Sequence, residues 1–265
     1  MTLETVPPRL LHFRVSHYNE KVRWALDYKR WPHVRRALIP GFHIPRARWL
    51  SGQNRLPVLE IQGRVLAGSN HILAELERLR PDPPLYPEER ADRERALALE
   101  AYFDEQVAPD LRCLFWAAYI DDPAASARMA TDGFPIGVRR TWQALFPLMR
   151  PAFRRNMGIE RERLAAARRR MPLHFERLES EIGPDGYLVG SRFSVADLAA
   201  AAVMTAIIRP AQFSYPLPEP WPRELVELRE SVADRAGFRW VLDIYARHRG
   251  VSSEIVSSAT RPEAE

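Results

Sequence analysis

The sequence has 265 residues, and 46% of them are hydrophobic, which is enough to bury a core in one large or two modest domains. Its formal net charge is +5, but residues 137–170 alone contain ten arginines and two glutamates, so the positive excess is local. Because no groove-reading motif accompanies these arginines, they favour a solvated helix face and argue against nucleic acid as a partner.

The single cysteine, Cys113, excludes an intrachain disulfide and a C-x-x-C redox centre. It lies on the apolar side of a predicted helix, which indicates a buried, inert thiol. The first residues do not form a secretory signal, and the most apolar window, 198–208, is too short to span a bilayer. We therefore predict a cytoplasmic protein with no transmembrane segment.

A strand is predicted at residues 10–15, and Ser16 follows it where a helix begins. The apolar stripe of that helix consists of Val22, Ala25 and Leu26. A serine at this place is usually a helix cap. Because helix-start amides favour a nearby anion, the hydroxyl could also stabilise a thiolate by hydrogen bonding.

A second strand is predicted at about 33–39, followed by a connection at 40–55 with a short helix near 46–50. Two short strands then flank the turn Gln62-Gly63, and Ser69 is predicted to cap the next helix. A cis bond before Pro57 would expose the backbone of Val58 to an extended peptide, and the helix start suits a carboxylate. The alternatives are a peptide-acid binding site and an ordinary hairpin and helix without a ligand.

The proline before this strand and the serine at this helix resemble the glutathione transferase superfamily, which has a thioredoxin-like domain. The resemblance implies that Pro57 is cis, that Val58 pairs with the cysteinyl backbone of glutathione, and that Ser69 holds the γ-glutamyl carboxylate. Members usually carry an acidic residue or Gln before that serine. Gly68 stands there in this sequence, so a partner for the γ-glutamyl ammonium is lost.

Residues 16–23, with the sequence SHYNEKVR, resemble the stretch of the family that begins its first helix at the catalytic position. The resemblance implies that Ser16 is the catalytic residue of a serine-type enzyme and donates a hydrogen bond to the glutathione sulfur. Asn19 stands where some relatives carry a second cysteine, so the chemistry of cysteine-type classes is not expected. Tyr18 and Asn19 are kept as secondary site candidates, and Tyr18 and His17 are the alternative hydrogen-bond donors.

The resemblance also implies that the 40–55 connection supplies a group for the glycine carboxylate of glutathione. The basic and amide side chains there are His43, Arg46, Arg48 and Gln53. His43 and Gln53 are kept as predicted glutathione-binding residues. The sequence does not rank these four, and each on its own is more typical of a plain surface residue.

Four prolines within residues 80–87 predict a linker, because proline cannot continue a helix or enter the interior of a sheet. The domains are predicted as 1–80, a linker at 81–89, a helical domain at 90–250 and a frayed polar tail at 251–265. A long helix is expected at about 90–120 with a bend near Pro109, followed by a loop at 121–135.

Ser194 and Asp197 form an S-x-x-D pair that predicts a helix cap. Preceded by residues 187–190, YLVG, this pair resembles the folding motif of the second domain of the same family. The resemblance implies a structural role for Asp197. The sequence contains no H-E-x-x-H, no P-loop and no cysteine and histidine ligand set, so no metal or nucleotide site is expected.

The predicted fold class is therefore an α/β thioredoxin-like N-terminal domain followed by an all-α C-terminal domain. The predicted function is conjugation of glutathione, as co-substrate, to a hydrophobic small molecule by a homodimer. Two alternatives remain, a non-catalytic binding protein on the same scaffold and a glutathione-dependent isomerase. The arginine-rich block would form either a wall over the substrate or a partner-binding surface.

Overall fold

A computed structural model describes residues 6–255, which divide into two compact units. The first unit contains the chain up to Pro83 together with the segment from Gly250 onward, and the second unit is Pro84–Arg249. The division therefore falls inside the segment 81–89 that the sequence predicts as a linker. Within residues 6–255, no helix combines the length and the apolar character needed to cross a membrane.

The described part of the first unit contains four strands and three helices. In chain order they are β1 (Arg9–His12), α1 (His17–Tyr28), β2 (Val34–Ala37), α2 (Ile44–Ser51), β3 (Val58–Ile61), β4 (Arg64–Ala67) and α3 (Ser69–Leu79). The sheet order is β2-β1-β3-β4, with β1 parallel to β2, and β3 antiparallel to both β1 and β4. This mixed sheet with its helices confirms the predicted thioredoxin-like half.

The core of the first unit covers both faces of the central strands. Leu10 and Leu11 of β1 are both fully buried, although neighbouring strand residues point to opposite faces. The helices supply apolar side chains to this core, and the fully buried ones include Val22, Leu26, Ile72, Leu73 and Leu76. Each such side chain contributes about 1.5–3 kcal/mol when removed from water, so this burial is the main stabilising term.

A buried lysine ties the end of α1 to the end of α3. The Lys29 ammonium donates to Glu77 at 2.6 Å, to the Arg80 carbonyl at 2.6 Å and to the Pro83 carbonyl at 3.0 Å. Its side chain is fully buried, so its three donors must all find acceptors inside the protein. These bonds fix the last residues of the first unit against its sheet-covering helices.

The segment after Gly250 pairs with the first unit, which differs from the frayed tail that the sequence predicts. Glu254 forms a parallel bridge with His33, and the Ile255 amide donates to the His33 carbonyl at 2.7 Å. The Asp27 carboxylate accepts the Ser253 amide at 2.8 Å. These partners lie more than 200 positions away in the chain, so the local composition carries no signal of them. Residues 256–265 of the predicted tail lie outside the described residues.

The second unit is helical, as predicted. Its helices are α4 (Arg90–Tyr102), α5 (Ala108–Ala117), α6 (Pro123–Ala130), α7 (Ile136–Met157), α8 (Arg161–Glu181), α9 (Val195–Ile208), α10 (Arg223–Val232) and α11 (Ala236–His248). Helix α9 is buried on nearly all sides and packs against α4, α5, α10 and α11. Its alanines allow these neighbours to approach closely, which makes α9 the centre of the unit.

The predicted bend near Pro109 has a local cause. Helices α4 and α5 are joined by a π-helical turn, Phe103–Val107, and Pro109 stands in the first turn of α5. Proline has no backbone N–H and excludes the carbonyl four residues earlier, so the regular α-helical bonding cannot run through this point.

The predicted loop at 121–135 is partly wrong, because α6 lies within it. Asp122 caps this helix, and its carboxylate accepts the amides of Ala124 at 2.8 Å and Ala125 at 3.0 Å. Pro123 follows at the first helical position, where its missing N–H is not needed. The Asp-Pro pair was therefore a helix-start signal and not a turn.

Candidate functional site

The sheet register brings the predicted site segments to one edge. Leu11 pairs with Val58, Val58 pairs with Ala67, and His12 pairs with Ala37. The ends of β1, β2 and β4 and the start of β3 therefore lie side by side. The turns that follow or precede these strand ends carry the predicted residues, so the fold places them along the same edge.

Ser16 stands at the N-cap position of α1 but does not cap the helix with its side chain. Its backbone is extended, with φ −101° and ψ 127°, and its carbonyl accepts the Glu20 amide at 2.9 Å. Within residues 6–255, its hydroxyl makes no hydrogen bond, and the residue is half-buried. This hydroxyl, which follows β1, therefore makes no hydrogen bond that stabilises the described fold.

Arg23 holds the turn that presents Ser16. Its fully buried guanidinium donates to the carbonyls of Phe13 at 2.8 Å and Arg14 at 3.2 Å, and to Glu20 at 2.8 Å. It also contacts Nδ1 of His12 at 3.0 Å, and burial together with the nearby arginine charges lowers the pKa of that imidazole well below its usual range. Since Arg23 has no acceptor, the neutral His12 ring must accept at Nδ1. Sequence reasoning missed this role, although Arg23 is part of the SHYNEKVR stretch.

The two secondary candidates on α1 differ in accessibility. Tyr18 is half-buried, and its ring packs against the ring of His17 with 4.2 Å between the two ring centres. Asn19 is completely buried, and neither polar atom of its amide has a hydrogen-bond partner in the described part of the chain. Asn19 therefore sits inside the protein and not on a surface open to a ligand.

The predicted cis bond before Pro57 is confirmed. The backbone that is open to pairing beside it is not at Val58, where the sequence placed it. The peptide bond Leu56-Pro57 is cis. Val58 is paired on both sides, with Leu11 and with Ala67, so its strand has no open edge there. Leu56 lies just beyond the ladder, and in the described residues no backbone hydrogen bond involves its amide or carbonyl. The open backbone edge is therefore at Leu56, a correction that depends on the sheet register.

Ser69 is the first residue of α3 and not its cap. Gly68 occupies the N-cap position with φ +88°, and its carbonyl accepts the Ile72 amide at 3.0 Å. A glycine adopts this left-handed backbone without strain, which explains why the cap falls one residue earlier than predicted. The Gly68 amide also donates to the Pro57 carbonyl at 3.2 Å, so the starts of β3 and α3 are joined directly.

A lysine and an asparagine accompany Ser69. The Ser69 hydroxyl donates to Oδ1 of Asn70 at 3.2 Å, and the Lys21 ammonium donates to the same oxygen at 2.8 Å. This places a cation of α1 at the N-terminal turn of α3, where the backbone amides and the helix dipole already favour an anion. Lys21 and Asn70 were not predicted as site residues, because only the packing of α1 against α3 brings them together.

The two candidates in the 40–55 connection, His43 and Gln53, differ in burial and in hydrogen bonding. His43 is buried, its Nδ1 accepts the Gly41 amide at 3.2 Å, and its Nε2 therefore donates to the Asn54 carbonyl at 3.0 Å. Burial lowers the pKa of this imidazole, so it stays neutral and holds the connection together. Gln53 is exposed, and its side chain makes no hydrogen bond in the described chain. Of the two, only Gln53 has free polar atoms.

Cys113 and Asp197 have the structural roles that the sequence predicts. The Cys113 thiol is buried and donates to the Gly158 carbonyl at 3.2 Å, and burial raises its pKa. Asp197 accepts the Leu188 amide and the Ser194 amide, each at 2.8 Å.

Across residues 6–255, no cluster of three or more histidine, cysteine, aspartate or glutamate side chains could hold a metal ion.

Two family models match separate parts of the chain. The model described as "Glutathione S-transferase, N-terminal domain" matches residues 10–84, and the model described as "Glutathione S-transferase, C-terminal domain" matches residues 161–223. The block between these two matches contains α4 to α7. A comparison with curated proteins finds no match.

Solved structures share the fold along most of the chain. One is FzlA from C. crescentus, with 23% identity, 90% of this chain and 92% of that chain covered, and a TM-score of 0.53. A theta class glutathione S-transferase from Xanthomonas axonopodis pv. citri, solved with glutathione bound, has 19% identity, coverages of 94% and 100%, and a TM-score of 0.55. The beta-etherase LigF from Sphingobium sp. strain SYK-6 has 18% identity, coverages of 92% and 99%, and a TM-score of 0.57.

Proposed function

Because the chain belongs to the glutathione S-transferase superfamily, we propose that it conjugates glutathione to a hydrophobic electrophile and that Ser16 stabilises the thiolate. The observation that carries this proposal is the Ser16 hydroxyl, which stands at a helix start without a hydrogen bond in the described chain. A hydroxyl donor and the N-terminal dipole of α1 both favour a sulfur anion over a neutral thiol.

Glutathione would bind along the sheet edge that carries Ser16. The open backbone of Leu56 would pair with the cysteinyl residue, in place of Val58, with cis Pro57 beside it. Ser69 and the first amides of α3 would hold the γ-glutamyl carboxylate, and the Lys21 charge would favour that anion. The glycine carboxylate would lie nearer Gln53 than His43, whose ring nitrogens are both engaged. The glutathione bound to the Xanthomonas structure supports this choice of co-substrate.

The reaction would be a nucleophilic attack on carbon. The glutathione thiol loses its proton to solvent, and its sulfur donates an electron pair to the electrophilic carbon. The leaving group departs with the pair from its broken bond. Ser16 keeps its own proton and donates a hydrogen bond that lowers the pKa of the thiol. The protein then contributes sulfur activation and the proximity of the two reactants. A hydrophobic small molecule, a homodimer and a cytoplasmic location complete the proposal.

A second candidate is a binding protein that keeps the scaffold without turnover. Gly68 offers no side chain to the γ-glutamyl ammonium, and residues 85–160 lie outside both family matches. The same fold with weaker glutathione binding would then serve another interaction. This candidate and the enzyme make opposite predictions for glutathione affinity.

Titration calorimetry with glutathione separates the two candidates. Binding tighter than millimolar supports the enzyme, whereas absent binding supports the scaffold protein. Conjugation of a chloronitrobenzene by Ser16→Ala should then fall about 100-fold in kcat/KM, because one hydrogen-bond donor to the developing anion is removed.

The matched control is Ser180→Ala, since the exposed Ser180 hydroxyl donates to the Arg177 carbonyl at 2.9 Å inside α8. This control should keep the wild-type rate. An unchanged rate in Ser16→Ala would move the donor role to Tyr18.

A further inference from the structure

The second unit contains a cavity of about 470 Å³ between the C-terminal end of α9, the residues 209–222 and the helix α10. Cavities of this size hold small organic molecules in other proteins. All of its lining residues belong to the second unit, so its geometry is independent of the sheet edge that carries Ser16.

Most of the cavity wall is apolar. The larger apolar side chains that line it include Phe213, Pro216, Leu217, Trp221 and Val226. Two of these are aromatic, and the other three are a proline and two branched residues, which hold their shape at little entropic cost. Such a wall favours a ligand with an aromatic ring or a branched aliphatic body.

One of the two arginines at the cavity is already neutralised. Arg209 forms an ion pair with Glu219 at 2.6 Å, lies 3.9 Å over the ring of Trp221 and donates to the Leu217 carbonyl at 3.2 Å. These contacts hold the segment 209–222 in place, and the Glu219 carboxylate compensates the Arg209 charge. Arg209 is therefore part of the wall and does not offer an anion site.

The other arginine keeps its charge uncompensated. Nε of Arg229 donates to the Ile208 carbonyl at 3.3 Å, and its guanidinium carbon lies 5.2 Å from the centre of the Phe238 ring. Among residues 6–255, no carboxylate lies within ion-pair distance of Arg229. Its two terminal nitrogens keep a planar pair of donors that matches a carboxylate. Glu230, which also lines the cavity, has no ion-pair partner in the described chain either.

We propose that this cavity binds small organic monocarboxylic acids whose ring or branched body contacts the apolar wall and whose carboxylate pairs with Arg229. The Glu230 carboxylate beside it repels a second negative charge, so monoacids bind more tightly than diacids. This site is additional to glutathione conjugation and does not rest on it.

Titration calorimetry of the intact protein without glutathione tests the site, with phenylpropionate and a branched aliphatic acid as probes. Arg229→Gln should weaken binding about tenfold or more, since a charge-assisted pair is lost. Glu230→Gln should tighten binding a few-fold, because it removes the repulsion. Phenylsuccinate, a diacid, should bind more weakly than phenylpropionate to the wild type.

The control is Arg223→Gln, an exposed arginine of the same helix that pairs with Glu227 at 2.6 Å and does not line the cavity. It should bind like the wild type. Val226→Phe, which narrows the cavity and keeps the charges, should also weaken binding and serves if Arg229→Gln fails to fold. Absence of binding by both probes, or wild-type affinity in Arg229→Gln or in Val226→Phe, would overturn the proposal.

Discussion

Among residues 6–255, two helices have a serine at the N-cap position, and the two serines have different surroundings. Ser194 at the start of α9 is buried, and its amide and hydroxyl both donate to the Asp197 carboxylate, at 2.8 and 2.9 Å. Ser16 at the start of α1 has the same cap position, yet its hydroxyl has no hydrogen bond in the described chain. The polar groups of Ser194 are therefore engaged by a residue of its own helix. The Ser16 hydroxyl is available to bond another molecule, and this contrast supports the role proposed for Ser16.

The largest expected effect is on the closed cap. Asp197→Ala leaves the buried amides of Leu188 and Ser194 without an acceptor, so we expect a loss of about 3–5 kcal/mol in the free energy of unfolding. Chemical denaturation measures it. Asp197→Asn, which keeps one acceptor oxygen, should lose less. A loss below about 1 kcal/mol in Asp197→Ala would show that the cap does not hold α9.

The pH dependence of stability comes next in size. Burial raises the pKa of Asp197 from 3.8 to about 6, in spite of the hydrogen bonds that favour its charged form. The folded-state pKa lies above the unfolded value, so the neutral Asp197 carboxyl contributes to the free energy of unfolding. This contribution is complete below the unfolded pKa and is lost as the pH rises through the folded pKa. The wild type should therefore lose up to about 3 kcal/mol relative to Asp197→Asn between about pH 4 and pH 7.

Parallel denaturation curves of the wild type and Asp197→Asn at several pH values measure this difference. If the gap between the two proteins stays constant over that range, the buried carboxylate does not titrate as proposed.

The same substitution at the two serines sharpens the comparison. Ser194→Ala should destabilise the protein by about 1 kcal/mol, since a helix cap is lost. Ser16→Ala should change the free energy of unfolding by less than about 0.5 kcal/mol, because no hydrogen bond of the described chain is broken. Denaturation of both variants decides the matter, and equal losses would mean that Ser16 is an ordinary cap.

The smallest effect concerns the glycine at the start of α3. Gly68→Ala should cost about 1 kcal/mol, because Gly68 has φ +88°, while an added Cβ would meet no atom within 4 Å. Gly137→Ala is the control, since Gly137 lies in α7 and also has free space around an added Cβ. It should be neutral or stabilising. A neutral Gly68→Ala in thermal unfolding would mean that the backbone there relaxes.

Features set by neighbouring residues could be predicted from the sequence. The cap of Ser194 and Asp197 spans four residues, and the pattern around Pro57 and Ser69 resembles a known family closely enough to imply the cis bond. Both the helical second unit and the thioredoxin-like first unit follow from hydrophobic patterns with that resemblance. The start of α6 was missed because the Asp122-Pro123 pair reads as a turn when prolines and glycines surround it.

Features set by distant pairing could not be predicted. Leu56 replaces Val58 as the open backbone position because β1 and β4 occupy both sides of Val58, which only the register decides. His43 is engaged because Asn54, eleven positions away, folds back onto it. Lys21 and Asn70, which belong to the proposed site, meet only when α1 packs against α3. Sequence patterns locate such residues on their elements but do not show which atoms remain free.

The most direct test of the account is the pKa of the glutathione thiol when it is bound to the protein, followed by the ultraviolet absorbance of the thiolate. The wild type should lower this pKa clearly below that of free glutathione, and Ser16→Ala should return it toward the free value while glutathione still binds. A bound thiol with the same pKa in both proteins would contradict the assignment of Ser16.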